Sequence, residues 1–241
     1  MKKFKFALMC AAALALVACE PKQGNEPDEP TPDEPIEDEY VSPVKVDDNS
    51  LADWDNLPAE FVAEAVSVEG ASLDGLKSMK VYADEVYINI LLEYNPEAID
   101  KSETPVHLYF NADNDAATGG FEDQWTSPDI DILFEGVIFS EGEPVLYEPG
   151  MFAYGDAPGT NVWSWTELVP AATPYASQWV GDKLEIQLLH ELIPATWGDA
   201  FTMGVDIQGP DWNSVGVLPN ASDDELGNKV LAEKLLVTFD K

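Results

Sequence analysis

Short apolar runs separated by turn signals fill residues 43–241, and several of them alternate strictly. In Val106-His107-Leu108-Tyr109-Phe110, the residues Val106, Leu108 and Phe110 share one face, because successive side chains of a strand point to opposite sides. Asp129-Ile130-Asp131-Ile132-Leu133-Phe134 alternates at its start, and Phe201-Thr202-Met203-Gly204-Val205-Asp206-Ile207 alternates again. Glu85 to Tyr94 predicts a strand after a turn at Ala83-Asp84, and Leu235 to Phe239 a strand that closes the sheet. Breaks fall at Asn114-Asp115, Gly119-Gly120 and Ala157-Pro158-Gly159. This spacing predicts an all-β fold, a single antiparallel β-sandwich of jelly-roll type over 43–241. Lys183 to Ile193 splits into a strand, Leu184 to Leu188, and a helical turn at Leu189-His190-Glu191-Leu192 before Pro194. About 200 residues suit one such domain, and no internal repeat is visible.

The first residues follow another pattern. Met1-Lys2-Lys3-Phe4-Lys5 is basic, and an apolar run extends from Phe6 to Val17. That run is shorter than the ~20 residues of a membrane-spanning helix, and it fits the core of a secretory signal over residues 1–18. Leu16-Val17-Ala18-Cys19 resembles the lipobox of bacterial lipoproteins. The resemblance implies cleavage before Cys19, diacylglycerol on its thiol, an acylated new amine, and an anchor in the outer membrane. Several acyl chains, at ~0.8 kcal/mol per buried CH₂, hold a protein firmly to a bilayer. Cys10 would leave with the signal and Cys19 would carry lipid, so no thiol is left for catalysis, zinc or a disulfide.

Residues 19–42 read as the lipidated cysteine and a disordered tether. From Glu20 to Glu39 the chain is Glu, Asp, Pro and polar residues, with Ile36 the only aliphatic one. Such a segment buries too little apolar surface to offset its ordering entropy. The acidic stretch also resembles the surface-export signal of Bacteroidetes-type lipoproteins, which implies display at the cell surface. A plain solvated spacer has the same composition.

Charge narrows the partners. The formal net charge is −34, and every cation is Lys, with no Arg. Loss of Lys2, Lys3 and Lys5 with the signal, while all 46 carboxylates stay, takes it to about −37. A polyanion without Arg forks repels phosphate backbones and anionic headgroups, which excludes nucleic acid. Neutral ligands, cations such as Ca²⁺ and basic proteins remain.

Several segments, in order, resemble domains similar to family 9 carbohydrate-binding modules. Val46 to Trp54 (Val-Asp-Asp-Asn-Ser-Leu-Ala-Asp-Trp) resembles their D-G-x-x-x-D-W opening, with Asp48 where the Gly usually sits. Val81 to Ile88 resembles their V-x-Y-D-D-x-x-L-Y-I strand pair, and Leu108 to Gly120 their L-Y-I-D-T-D-N-x-x-x-T-G segment, with Asn111 for its first Asp. Asp129-Ile130-Asp131-Ile132-Leu133 takes the place of the Y-D-Y-x-I strand, and Leu184-Glu185-Ile186 with Ile193-Pro194 that of the late x-E-x-x-I-P turn. Residues 141–180 have no counterpart. The resemblance implies a carbohydrate-binding sandwich with a structural calcium.

The residues suggest where calcium would sit. Asp113, Asn114 and Asp115 stand beside Gly119-Gly120, after a strand. Ca²⁺ takes six to eight oxygen ligands, and such a loop can aim several at one point. Asp129 and Asp131, two apart, would share a strand face and add ligands. A solvated Asp/Asn turn is the alternative. The ligand spacing of an EF-hand is missing.

Sugars bind largely to aromatic faces, and seven Trp are present. Trp163, Trp165, Tyr154, Trp125 and Trp212 are the candidate ligand-binding residues. Any of them could instead fill the core, and Trp54 is expected to pack under the first strand. His107 is expected to point outward or to be partly buried, and His190 to sit in an amphipathic turn. No nucleophile elbow, phosphate loop or metal-hydrolase His pair accompanies them. The leading reading is therefore a non-enzymatic, membrane-anchored carbohydrate-binding lipoprotein. A structural or adhesion protein that binds another protein is the second reading, and a glycosidase-like enzyme using two carboxylates the third.

Overall fold

The computed structural model describes residues 40–120, 123–127, 129–154, 165–167, 175–193, 195–223 and 225–241, with backbone alone at 147, 148, 165–167 and 175. Residues 1–39, which hold the expected signal, Cys19 and most of the expected tether, lie outside the described residues, as does Trp163. Val41–Lys241 forms one unit. Its strands are β1 (Val62–Val66), β2 (Leu76–Asp84), β3 (Tyr87–Tyr94), β4 (Glu103–Asn111), β5 (Ile132–Ser140), β6 (Glu143–Tyr154) and β7 (Trp165–Glu167). They continue with β8 (Tyr175–Val180), β9 (Lys183–Leu189), β10 (Ala200–Gln208), β11 (Ser214–Leu218), β12 (Ser222–Asp223), β13 (Lys229–Val230) and β14 (Leu235–Asp240). No α-helix occurs among the described residues; a 3₁₀ turn at His190–Leu192 follows β9, where the sequence predicts a helical turn.

The strands make a β-sandwich. One sheet pairs β1, β2, β3, β9 and β8 in that order. The other pairs β7, β6, β5, β4, β10 and β11. β14 joins them: Leu235 to Thr238 pair antiparallel with β10, and Phe239 and Asp240 then pair parallel with Ala83 and Asp84 of β2. The expected sandwich is thus antiparallel except at this crossover, which leaves a nearly closed sheet.

Alternation explains the core. Val106, Leu108 and Phe110 of β4 meet Ile88, Ile90 and Leu92 of β3, Leu184, Ile186 and Leu188 of β9, and Phe201, Met203, Val205 and Ile207 of β10 in one buried cluster. The outward faces are covered too. Val44, Val46, Trp54 and Leu57 pack on Tyr82 and Leu91, over the first sheet. Trp125 and Ile130 pack on Tyr109, Leu133 and Val217, over the second. Trp54, structural as expected, donates its Nε1–H to buried Glu185 (2.6 Å). His107 is only 5% exposed, more buried than the alternation alone implies; the Trp212 ring lies over it.

Candidate functional site

The second sheet carries a polar row on its outward face. Register sets Glu135 of β5 opposite His107 of β4, and His107 opposite Asp206 of β10. Their neighbours Val106, Leu108, Val205 and Ile207 point into the core, so these three point away from it. His107 donates from Nε2 to Glu135 Oε2 at 2.8 Å, and Tyr109 Oη lies 3.5 Å from its Nδ1. Asp206, 2% exposed, accepts from Ser214 Oγ (2.8 Å) and Gln208 Nε2 (3.1 Å) through Oδ2. Burial raises its pKa, and the hydrogen bonds from Gln208 and Ser214 oppose the rise. Asp206 Oδ1 and Gln208 Oε1 are buried with no donor among the described residues.

Trp212 lies nearly parallel to His107, with ring centroids 6.3 Å apart and planes at 24°. It is 59% exposed. The β10–β11 hairpin places it there. Trp212 N–H donates to Gly209 O (2.9 Å), closing a turn around Pro210 and Asp211, and Gly209 N–H donates to Asn213 O (2.9 Å). Pro210 supplies the fixed φ that the first central turn position favours. Asp211 accepts from Asn213 Nδ2 at 2.6 Å. Trp212 itself has φ 63°, a left-handed conformation usually left to glycine. The hairpin holds a large aromatic ring in a costly backbone state to keep it outside the core.

The acidic loop follows β4. Asp113 Oδ1 accepts Asp115 N–H (2.9 Å) and Thr118 Oγ–H (3.1 Å), and Asp115 Oδ1 accepts Ala117 N–H (2.9 Å). Asn114 has φ 55°. These serial Asx turns are the local structure that Asp and Asn favour with or without a metal. Gly119, at φ 72°, leaves no room for a Cβ against the Ile130 backbone, and Gly120 lies under the Tyr154 ring. The glycines therefore let the loop bridge back to Ile130.

Asp129 and Asp131 part company. The strand begins at Ile132, later than the alternation predicts, so they share no strand face. Asp129 is buried, bonded to Asn111 Nδ2 (2.8 Å) and paired with the buried ammonium of Lys234. Lys234 also donates to Ser127 O (3.0 Å) and Ser127 Oγ (2.9 Å). A lysine thus meets the charge that calcium was expected to meet at Asp129, which corrects that assignment. Asp131 accepts Ala112 N–H (2.8 Å) and lines a depression of about 240 Å³ with Asp113, Gly119, Tyr154 and Thr196. Burial chiefly raises its pKa to about 6; the Ala112 bond opposes this, and the Asp113 and Asp129 charges add to it. Among the described residues, no group of three or more His, Cys, Asp or Glu is placed to share a metal ion. Asp113 and Asp131 are the acidic residues that line the depression together.

The aromatic candidates divide similarly. Trp125 is 1% exposed, lies over Gly204, where a Cβ would meet its ring at 2.2 Å, and donates from Nε1 to Pro219 O (3.0 Å). It is a core residue and has no face to offer a ligand. Tyr154 is half-buried at the depression, and Trp165 stands opposite it in the β6–β7 register. Among the candidates whose side chains are described, Trp212 combines wide exposure with a polar surrounding. Sequence reading missed that surrounding, although His107 and Asp206 were already on the strands it identified. It also missed a groove lined by Trp197, His190 and Phe239. No family model and no curated protein matches the chain.

Proposed function

We propose that the chain is an exported lipoprotein, anchored in the outer membrane through Cys19, whose sandwich binds carbohydrate without turning it over. The observation that carries this reading is Trp212. It is a widely exposed indole held at φ 63° over the His107–Glu135 pair, beside the hydrogen-bonding side chains of the hairpin. An aromatic face takes the C–H face of a pyranose, and nearby amide and carboxylate groups such as Asn213 and Asp211 take hydroxyls. The lipobox-like Leu16 to Cys19 supports the anchor. The net charge of −34 suits a neutral glycan better than an anionic one.

A structural calcium belongs to the same reading, held by Asp113 and Asp131. It would offset the repulsion of two carboxylates at one depression and stiffen the loop. A glycan array probed with residues 41–241, in calcium and in EDTA, tests the reading. Binding to a defined neutral polysaccharide is expected. Silence from folded protein in both buffers would overturn it in favour of a protein partner. That second reading rests on β1, which pairs only with β2 among the described strands and carries exposed Val66.

A further inference from the structure

A groove of about 540 Å³ lies between the β2–β3 turn, the 3₁₀ turn after β9 and the end of β14. Ala195 separates it from the Asp113–Asp131 depression and lines both. One wall is aromatic: ring centroids are 5.1 Å apart for His190 and Phe239, 6.0 Å for His190 and Trp197, and 6.2 Å for Trp197 and Phe239. The rings are held in place. Trp197 Nε1–H donates to His190 O (3.2 Å), and His190 Nε2–H donates to Glu85 O (3.0 Å).

The rest of the lining is acidic. Asp84, Glu85 and Glu191 all border the groove. Asp84 is 3% exposed, and its Oδ1 accepts Val86 N–H (2.9 Å) and Tyr87 N–H (2.7 Å). Its Oδ2 is buried with no donor among the described residues. A buried carboxylate oxygen without a donor is costly, and a ligand that brings one recovers that cost. The lysine at the groove, Lys241, is committed to Asp199 Oδ1 at 2.8 Å, with its ammonium 5.7 Å from the Phe239 ring centre. The aromatic wall therefore already accepts a cation at its edge, while among the described residues no lysine or histidine forms an ion pair with Asp84, Glu85 or Glu191.

Aromatic faces and carboxylates together select an organic cation. The volume exceeds what a bare ammonium fills and suits a ring that carries one. We infer that this groove binds a glycan bearing free amino groups, its ammonium facing the Asp84, Glu85 and Glu191 carboxylates and its ring against the partly exposed Trp197. The site shares no residue with the Trp212 hairpin and stands whether or not that hairpin binds sugar.

The test is calorimetric titration of the full chain in detergent, at physiological salt, with a glucosamine pentamer, its N-acetylated counterpart and a lysine-containing peptide. With Trp212→Ala in each arm of this comparison, so that the hairpin takes no sugar, the amine-bearing pentamer binds and the N-acetylated one does not. Glu85→Gln with Glu191→Gln, both exposed, weakens binding about tenfold, the loss expected of two screened charge contacts. Asp84→Asn keeps the oxygen that caps the turn but turns the orphan acceptor into a donor; it abolishes binding at unchanged melting temperature. Trp212→Ala leaves this binding intact. Equal binding of both pentamers, tighter binding of the peptide, no heat from folded protein, or binding indifferent to the Asp84, Glu85 and Glu191 variants would each overturn the proposal. The last result would show only attraction to a polyanionic surface.

Discussion

At Trp212 a left-handed backbone costs an L-residue roughly 1–2 kcal/mol, and glycine would pay almost none of it. Trp212→Gly is therefore expected to raise the melting temperature by ~2–4 °C while removing glycan binding; a thermal melt that falls instead would show that the ring contributes more than its conformation costs. Asp131 gives a pH-dependent counterpart. Its folded pKa of about 6 lies above the ordinary carboxylate value of 3.8. The folded state therefore holds its proton more tightly, and stability from this group falls as pH rises through the window between those values. Asp131→Asn keeps an acceptor for Ala112 N–H and removes the charge. It should raise the melting temperature in EDTA at neutral pH, change it little near pH 4, and erase any rise on adding calcium. A calcium response that survives Asp131→Asn and Asp113→Asn would place the ion elsewhere. The residue types of this site were legible in the sequence, but their commitments were not. Nothing in the spacing shows that Lys234, far along the chain, closes on Asp129, or that Trp125 lies flat over Gly204.

The element scale explains that split. β4 and β10 were readable because their inward apolar residues alternate with outward ones of other kinds, and β3, β9 and β14 because they are short apolar runs bounded by turns or by Pro. β5 starts late because Ile130 is drawn into a bridge with Gly120 before the ladder with β4 is established. Alternation says that a strand has two faces and not what covers the second. Here the segment from Val44 to Leu57 covers one sheet and the loop through Trp125 and Ile130 the other. The Asp129–Lys234 pair pins that second cover to the approach of β14. Lys234→Met leaves a buried carboxylate without its partner and should cost ~3–5 kcal/mol in a denaturant titration. Adding Asp129→Asn should recover most of the loss. If the double variant is no more stable than the single one, Lys234 acts through packing and not through its charge.

On the scale of the whole molecule, the sandwich was legible and its task was not, because a fold hosts many functions and the site decides among them. The features that make a site here, Trp212 over His107 and the Trp197 groove beside Asp84, come from residues distant in sequence that strand register brings together. The acidic, Arg-free surface and the lipobox-like N-terminus bound the partners without naming one. The most direct test of the central claim is a glycan array probed in parallel with the wild-type domain and Trp212→Ala, with the melting temperature of each recorded. The account predicts defined neutral-glycan signals that vanish in Trp212→Ala while the fold is retained. Equal signals from both proteins would contradict it.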